Sequence, residues 1–253
     1  MLTIDGSTST VCSISSGLVS FQSVGTCTID ANQRGGPTNY MAAPQVQQSF
    51  SVGKGDQTVS FTSTAPSAAK VGGPTYAPAA NSSAGVTPVT LTIDSSTSTI
   101  CSISGGAVSF QAVGTCTVDA NQAGNGNYNP APQTQQSFII GKGDQMLSFT
   151  SSAPAAEIGG PTYTPAASST VGLTPVAFSI DGPSASVCSI AGGVVSFTAP
   201  GTCTIDANQA GDANYNAAPQ AQQPVTIGKG AQAIAFMSPA PARWSTARPI
   251  RRA

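Results

Sequence analysis

The chain contains no histidine, and Asp, Glu, Lys and Arg make up only 8% of its 253 residues, against about 25% in an ordinary soluble domain. Without His there is no Ser-His-Asp triad, no His-ligated metal and no imidazole proton shuttle. Nine Lys and Arg with a formal net charge of -1 exclude an electrostatic nucleic-acid footprint. Four of the five Arg fall in the last eleven residues, so the body of the chain is almost free of strong cations. Glu157 is the single Glu, and a two-carboxylate hydrolase site would have to be built from Asp in turns. No apolar run approaches the ~20 residues of a membrane helix. No N-terminal stretch has the charged and apolar regions of a signal peptide. The expectation is a chain that is not an enzyme, with no catalytic, cofactor-binding or metal-ligating residues and no cofactor.

What is present is repetition, joined to 27 Gly and 19 Pro. Leu2-Thr-Ile-Asp returns as Leu91-Thr-Ile-Asp and Phe178-Ser-Ile-Asp. Cys12 and Cys27 return as Cys101 and Cys116, then as Cys188 and Cys203, each pair fifteen positions apart and the copies offset by 89 and 87. Length differences sit at 34–39 against 123–127 and at 67–70 against 155–157, which marks these places as loops. Gly53-Lys54-Gly55 recurs as Gly141-Lys142-Gly143 and Gly228-Lys229-Gly230, and a short glycine-flanked joint is a natural boundary. On that register 54–141 and 142–228 are complete units of about 88 residues. Residues 1–53 are the C-terminal half of a truncated unit, and 229–253 start a further unit whose tail, from Ala242, leaves the repeat. The chain then reads as a fragment of a longer array with a truncated or frameshifted end. The half unit 1–53 is expected to be poorly ordered or to pair elsewhere, with 232–236 as the candidate partner.

Apolar residues alternate within each unit, the period-two signal of half-buried strands. Leu91 and Ile93, Cys101 and Ile103, Val108 and Phe110, Cys116 and Val118, and Phe138 and Ile140 are such pairs, with Ser and Thr between most of them. Ser104-Gly105-Gly106 predicts a hairpin turn, and Val113-Gly114 another turn. Pro74, Pro78 and Pro88 place edge strands and loops in the earlier half. The fold class expected is all-β, as tandem Ig-like β-sandwich repeats. Units of this size have small cores. If the faces that carry Cys101 and Cys116 point inward, the pair bridges two sheets. A 15-residue loop closed in this way stabilises by roughly 3 kcal/mol. Six buried free thiols acting as small hydrophobes are the other reading; regular pairing in every copy favours disulfides at Cys12, Cys27, Cys101, Cys116, Cys188 and Cys203.

The run Ser98-Thr-Ile-Cys-Ser-Ile-Ser-Gly-Gly-Ala-Val-Ser-Phe-Gln-Ala-Val-Gly-Thr-Cys-Thr-Val-Asp-Ala resembles the second half of bacterial Ig-like domains of the invasin and intimin type. Two Cys stand here where those domains usually carry small residues. Gly159-Gly-Pro-Thr-Tyr-Thr-Pro and Asp206-Ala-Asn-Gln-Ala-Gly-Asp-Ala-Asn-Tyr-Asn are similar to Cys-bearing Ig-like arrays of large exported bacterial proteins. The resemblance covers residues 2 to about 236 and implies an extracellular or cell-surface location and a spacer or adhesive role.

Four motifs admit a functional and a bland reading. Lys54-Gly-Asp56 and Lys142-Gly-Asp144 match an integrin-type tripeptide, but the third copy reads Lys229-Gly-Ala231, and a polar joint explains all three. Asp119, Asn121 and Asn125, with Asp206, Asn208 and Asp212, could ligate Ca²⁺, yet each set has few carboxylates and Asx residues also build turns. Asp5-Gly-Ser and Asp181-Gly-Pro fit turn ends better than a catalytic loop. Tyr76, Tyr163, Tyr40, Tyr128 and Tyr215 recur at fixed places and read as packing and corner residues, with sugar stacking as the alternative. The function expected is a structural spacer whose partners are neighbouring Ig-like repeats of a longer chain. The alternative is an adhesive module for a glycan or a surface protein.

Overall fold

The alternating segments form strands in a computed structural model that describes residues 1–237. The expectations for the tail from Ala242 lie outside the described residues. The described residues are all-β and divide into two units: Met1–Asp144 with Gly211–Asn216, and Gln145–Ala210 with the described residues from Ala217 onward.

In the first unit the strands are β1 (Leu2–Ile4), β2 (Cys12–Ser15), β3 (Leu18–Phe21), β4 (Gly25–Ala31), β5 (Val46–Val52), β6 (Val59–Phe61), β7 (Ala69–Lys70), β8 (Ala80–Ser82), β9 (Thr90–Ile93), β10 (Cys101–Ser104), β11 (Ala107–Phe110), β12 (Gly114–Asn121) and β13 (Thr134–Gly141). A four-stranded sheet has the order β7-β13-β12-β9, antiparallel except for the parallel pair β13–β7. Two ribbons, β10–β11 and β6–β8, complete this part of the unit. The sheet's inward residues Cys116, Val118, Phe138 and Ile140 form one core with Cys101, Val108 and Phe110 of the β10–β11 ribbon. Phe61 and Tyr76 pack against that core. The opposite face of the sheet is polar, with rungs such as Thr117 against Ser137, whose hydroxyls are 2.8 Å apart.

The ribbon turns where the sequence places its hairpin. Ser104 pairs with Ala107 across Gly105 (φ 57°) and Gly106 (φ 79°), the left-handed pair that a two-residue primed turn requires. The Cys101–Cys116 disulfide joins this ribbon to the sheet, with Cα atoms 5.8 Å apart and both residues fully buried. Cys12 and Cys27 are joined in the same way.

Residues 1–53 are neither unstructured nor paired with 232–236. They form the sheet β1-β4-β5 and the ribbon β2–β3, in the same register as β9-β12-β13 and β10–β11. Residues 232–236 carry no strand. Residues 1–53 correspond to β9–β13 alone and contain no counterpart of β6, β7 and β8.

The second unit has β14 (Leu147–Phe149), β15 (Ala156–Glu157), β16 (Ala167–Ser169), β17 (Ala177–Ile180), β18 (Cys188–Ala191), β19 (Val194–Phe197), β20 (Gly201–Asn208) and β21 (Ala221–Gly228). Its sheet order, β15-β21-β20-β17, and its ribbons, β14–β16 and β18–β19, match those of β6 to β13. The Cys188–Cys203 disulfide lies in a core with Val195, Phe197, Ile205, Val225 and Ile227. No cysteine among the described residues is free.

Replacing Cys101 and Cys116 together with Ala should destabilise the β9–β13 region by about 3 kcal/mol, since the bond closes a 15-residue loop. Amide exchange in β12 and β13 should then accelerate by roughly a hundredfold. Unchanged exchange would show that the core holds without the cross-link.

Candidate functional site: a glycine joint closed by an Asx loop

The most elaborate polar arrangement of the first unit surrounds the joint residues 53–56. An Asx turn from far along the chain closes on them. Asn125 Oδ1 accepts the backbone N–H groups of Asn127 (2.8 Å) and Tyr128 (2.9 Å), which fixes the loop. Gly55 N then donates to Asn127 O at 2.9 Å, and Asn129 N donates to Gly55 O at 2.8 Å, a short parallel bridge. Lys54 Nζ donates to Asn125 O (2.7 Å), and Asn129 Nδ2 donates to Asp56 Oδ1 (2.9 Å). The loop also reaches the preceding copy, where Val24 N donates to Asn127 Oδ1 at 3.1 Å. Residues 1–53 and 54–144 are thus held through one loop.

The tyrosine ring explains the glycine. A Cβ on Gly55 would stand 3.2 Å from the Tyr128 ring. The second joint is tighter: a Cβ on Gly143 would meet Val71 O at 2.4 Å and the Tyr215 ring at 2.8 Å. The same bonds recur there. Asp212 Oδ1 accepts from Asn214 N and Tyr215 N, both at 2.8 Å. Gly143 N donates to Asn214 O (2.8 Å), Val113 N to Asn214 Oδ1 (3.0 Å), and Asn216 Nδ2 to Asp144 Oδ1 (2.8 Å). Lys70 adds an ion pair with Asp144, Nζ to Oδ2 2.7 Å, between exposed side chains. The Lys70 ammonium as hydrogen-bond donor, then the Asn216 amide, then the Lys70 charge hold the Asp144 carboxyl below the ordinary carboxylate range.

The Lys-Gly-Asp tripeptides therefore form part of the joint, with Lys54, Asp56, Lys142 and Asp144 all engaged. The residues weighed for calcium are apart in function. Asn125 and Asp212 cap their turns, Asp119 Oδ1 accepts from Gln135 (2.8 Å), and Asn121 Oδ1 accepts from Gln133 (3.2 Å). In the second unit Asp206 Oδ1 accepts from Gln222 (2.8 Å) and Asn208 Oδ1 from Gln220 (3.2 Å). Among the described residues no three acidic or Cys side chains cluster as a metal site. Asp5 and Asp94 are N-caps of single 3-10 turns, Gly6–Thr8 and Ser95–Thr97. Hydrogen bonds from Ser7 and Ser96, hydroxyl first and backbone N–H second, lower their carboxyl pKa values. Asp181 precedes the matching turn Gly182–Ser184 without a side-chain cap. Tyr76 and Tyr163 are corner residues: their hydroxyls bond Gln136 and Gln223, at 2.6 and 2.8 Å.

One polar feature has no sequence signal. Gln57 Nε2 donates to Gln122 Oε1 at 2.8 Å in the interior, and Ser82 Oγ donates to Gln57 Oε1 at 2.5 Å. Gln145, Gln209 and Ser169 repeat the set in the second unit.

No family model matches the chain, and no curated protein matches it. Among solved structures it is similar to Drosophila N-cadherin EC1-4, at 12% identity and a TM-score of 0.28, covering 90% of this chain and 66% of that one. It is also similar to domains 1-6 of the surface layer protein SbsC (12% identity, TM-score 0.28, 92% of this chain, 35% of that one). The S-layer protein rSbsC(31-844) gives 13% identity and a TM-score of 0.29 over 92% of this chain and 36% of that one. The chain thus spans from about a third to just under two thirds of the structures it matches.

Gly143→Ala should break the second clasp and raise the exchange rates of the Gly143 and Asn216 amides about tenfold or more, whereas Gly53→Ala, whose Cβ would meet nothing within 4 Å, should leave the first clasp intact. Equal effects from the two would remove the steric argument. Acid should act through Asp144. Its folded pKa lies below its unfolded value of about 3.9, so its contribution is complete above that pH and is lost as pH falls through the lower folded value. Following the Asn216 side-chain amide by NMR should give a midpoint below about 3.9 that Asp144→Asn abolishes; a midpoint above that value would contradict the assignment.

Proposed function

We propose that the chain is a non-enzymatic spacer segment of an extracellular or cell-surface repeat protein, of the bacterial Ig-like type that its sequence resembles. The observation that carries this reading is the clasped joint. A flexible linker would leave Gly53-Lys54-Gly55 solvated, yet Gly55, Lys54 and Asp56 are bonded to the Asn125–Asn129 loop, which also bonds Val24. A joint closed by backbone and side-chain bonds resists bending, which is what a stalk requires. Three disulfides suit an oxidising compartment outside the cytosol. The Ser, Thr and Gln faces carry little charge and attract partners weakly. Its natural partners, on this reading, are neighbouring repeats of the same kind.

Residual dipolar couplings test the mechanics. Couplings from residues 1–52 and 59–141 of the intact chain should fit one alignment tensor, and Asn127→Ala with Tyr128→Ala should split them into two. Two independent tensors in the unmodified protein would refute a stiff joint. The adhesive alternative is read in parallel on glycan arrays and host-cell surfaces. Specific binding that disappears when a unit is exchanged for an unrelated one of equal length would replace the spacer reading by an adhesive one.

A further inference from the structure

We infer that Asn125 is a site of spontaneous deamidation, and that the two products set the first joint differently: aspartate keeps the clasp and isoaspartate opens it. The inference rests on the clasp and is independent of the spacer reading. Asn125-Gly126 is the single Asn-Gly step in the sequence, and both residues are exposed in the loop that closes on Gly55. A main-chain nitrogen attacks the preceding Asn side chain most readily when it belongs to Gly, because no Cβ crowds the ring that forms and the backbone turns freely. Among the described residues neither Gly126 N nor Asn125 Nδ2 donates a hydrogen bond, while Asn125 Oδ1 accepts two, from Asn127 N at 2.8 Å and Tyr128 N at 2.9 Å. Those donors draw charge from Cγ, the carbon under attack, and stand on the oxygen where negative charge gathers in the tetrahedral intermediate. The bond from Gly126 N to Cγ forms as solvent base removes the Gly126 proton. The Cγ–Nδ2 bond then breaks, and Nδ2 leaves as ammonia with a third proton taken from solvent. Water opens the resulting cyclic imide at either carbonyl. Addition at Cγ breaks its bond to Gly126 N and gives aspartate. Addition at the main-chain carbonyl carbon breaks that carbon's bond to Gly126 N and gives isoaspartate, whose chain runs through Cβ and Cγ.

The neighbouring asparagines lack these features. Tyr128 N, the nitrogen that would attack Asn127, is engaged on Asn125 Oδ1, and Asn129 precedes Pro130, which has no N–H. At the second joint the step reads Asp212-Ala213, a carboxylate in place of the amide and a side chain in place of the glycine. That copy also shows what the aspartate product does. Asp212 Oδ1 accepts Asn214 N and Tyr215 N at 2.8 Å, Lys142 Nζ donates to Asp212 O, and Gly143 N donates to Asn214 O at 2.8 Å. An aspartate at 125 makes the same bonds at Gly55, strengthened by its charge. Isoaspartate does not. The chain between residues 125 and 127 gains a carbon, the former side-chain carbonyl enters the main chain, and the oxygen that Lys54 binds becomes part of a free carboxylate. Asn127 O is then displaced from Gly55 N, and Asn127 Oδ1 from Val24 N. Deamidation thus acts at the first joint and spares the second, and a growing fraction of molecules loses the first clasp with age.

Incubating the intact protein at neutral pH and mapping its peptides by mass, with electron-transfer fragmentation to tell the two acids apart, tests this. Conversion of amide to acid should appear at Asn125 before any other asparagine and should quicken as pH rises. Gly126→Ala should slow it about tenfold or more, because a side chain there restrains the backbone that the imide needs. That variant keeps its fold, since a Cβ on Gly126 meets nothing within 4 Å and Ala213 occupies the same place in the next copy. The two product fractions are then separated and read by amide exchange at Gly55 and Asn129. The aspartate fraction, and likewise Asn125→Asp, should match the unmodified protein, whereas the isoaspartate fraction should exchange about tenfold faster or more. An amide at Asn125 that persists through the incubation, or that converts no sooner than the other asparagines, would overturn the inference. So would an isoaspartate fraction with a protected Gly55 amide, or an Asn125→Asp variant without one.

Discussion

The architecture depends on covalently pinning a ribbon to a sheet. In the first unit the core that β10, β11, β12 and β13 share contains few large side chains, and at its centre both Cys101 and Cys116 are without solvent contact. Removing the bond would leave the ribbon held by the apolar contacts of Ile103, Val108 and Phe110 and by the backbone bonds of Val108 with Tyr76 and of Phe110 with Gly72. A core of this size gives limited stability against chain entropy. The cross-link acts on that opposing term by shrinking the unfolded ensemble. It also ties the β2–β3 ribbon to the β1-β4-β5 sheet in residues 1–53, where Cys12 and Cys27 are fully buried although Phe21 beside them is not.

The second constraint is geometric. Two strands that end one copy and begin the next can be brought to a fixed relation only if backbone atoms approach closely, and glycine permits that approach. At Gly143 the space a side chain would need is already held by Val71 O and the Tyr215 ring. The loop that supplies the ring is itself rigid because Asp212 caps it, as Asn125 caps its counterpart at Gly55. The exchange of Asn125 for Asp212 between copies keeps the acceptor oxygen and changes only the charge. The motif thus depends on the position of an oxygen, and the same logic accounts for the Ser7 and Ser96 bonds to Asp5 and Asp94.

Much of this was legible in the sequence where the signal is local. Alternation at Cys116 and Val118 placed a strand, and Gly105-Gly106 placed the turn of the ribbon, because both depend on residues close together in the chain. The spacing of the cysteines marked a pair, with free thiols as the competing reading. The clasp was visible only in pieces: the glycine joint, the Asx loop and the recurring tyrosine were each apparent, but Lys54 and Asn125 meet across 71 positions and no pattern announces it. The same holds for Gln57 and Gln122, 65 positions apart, since glutamine has no periodicity that betrays burial. The expectation of disorder or an internal partner for residues 1–53 fails because it equates the absence of partner strands with absence of local pairing. Strand pairing is set by β1, β4 and β5 among themselves, and the disulfide adds the ribbon.

That separation between pairing and cover has a further consequence for how such a chain behaves. The β4–β5 ladder is made by these two strands alone, whereas cover of the face removes apolar area from water, as in the later copies. The area is recovered whenever a strand with Val or Ile and Phe two residues apart lies across it, as Val59 and Phe61 do over β12 and β13. Within a complete copy the two halves are therefore complementary in their faces, β6 supplying apolar side chains that cover β12 and β13. The buried Gln–Gln bond then adds selectivity, because an apolar strand lacking the leading Gln would leave one buried amide without its partner. The placement of β6 over the sheet is thus fixed by that amide pair as well as by the alternation of its side chains.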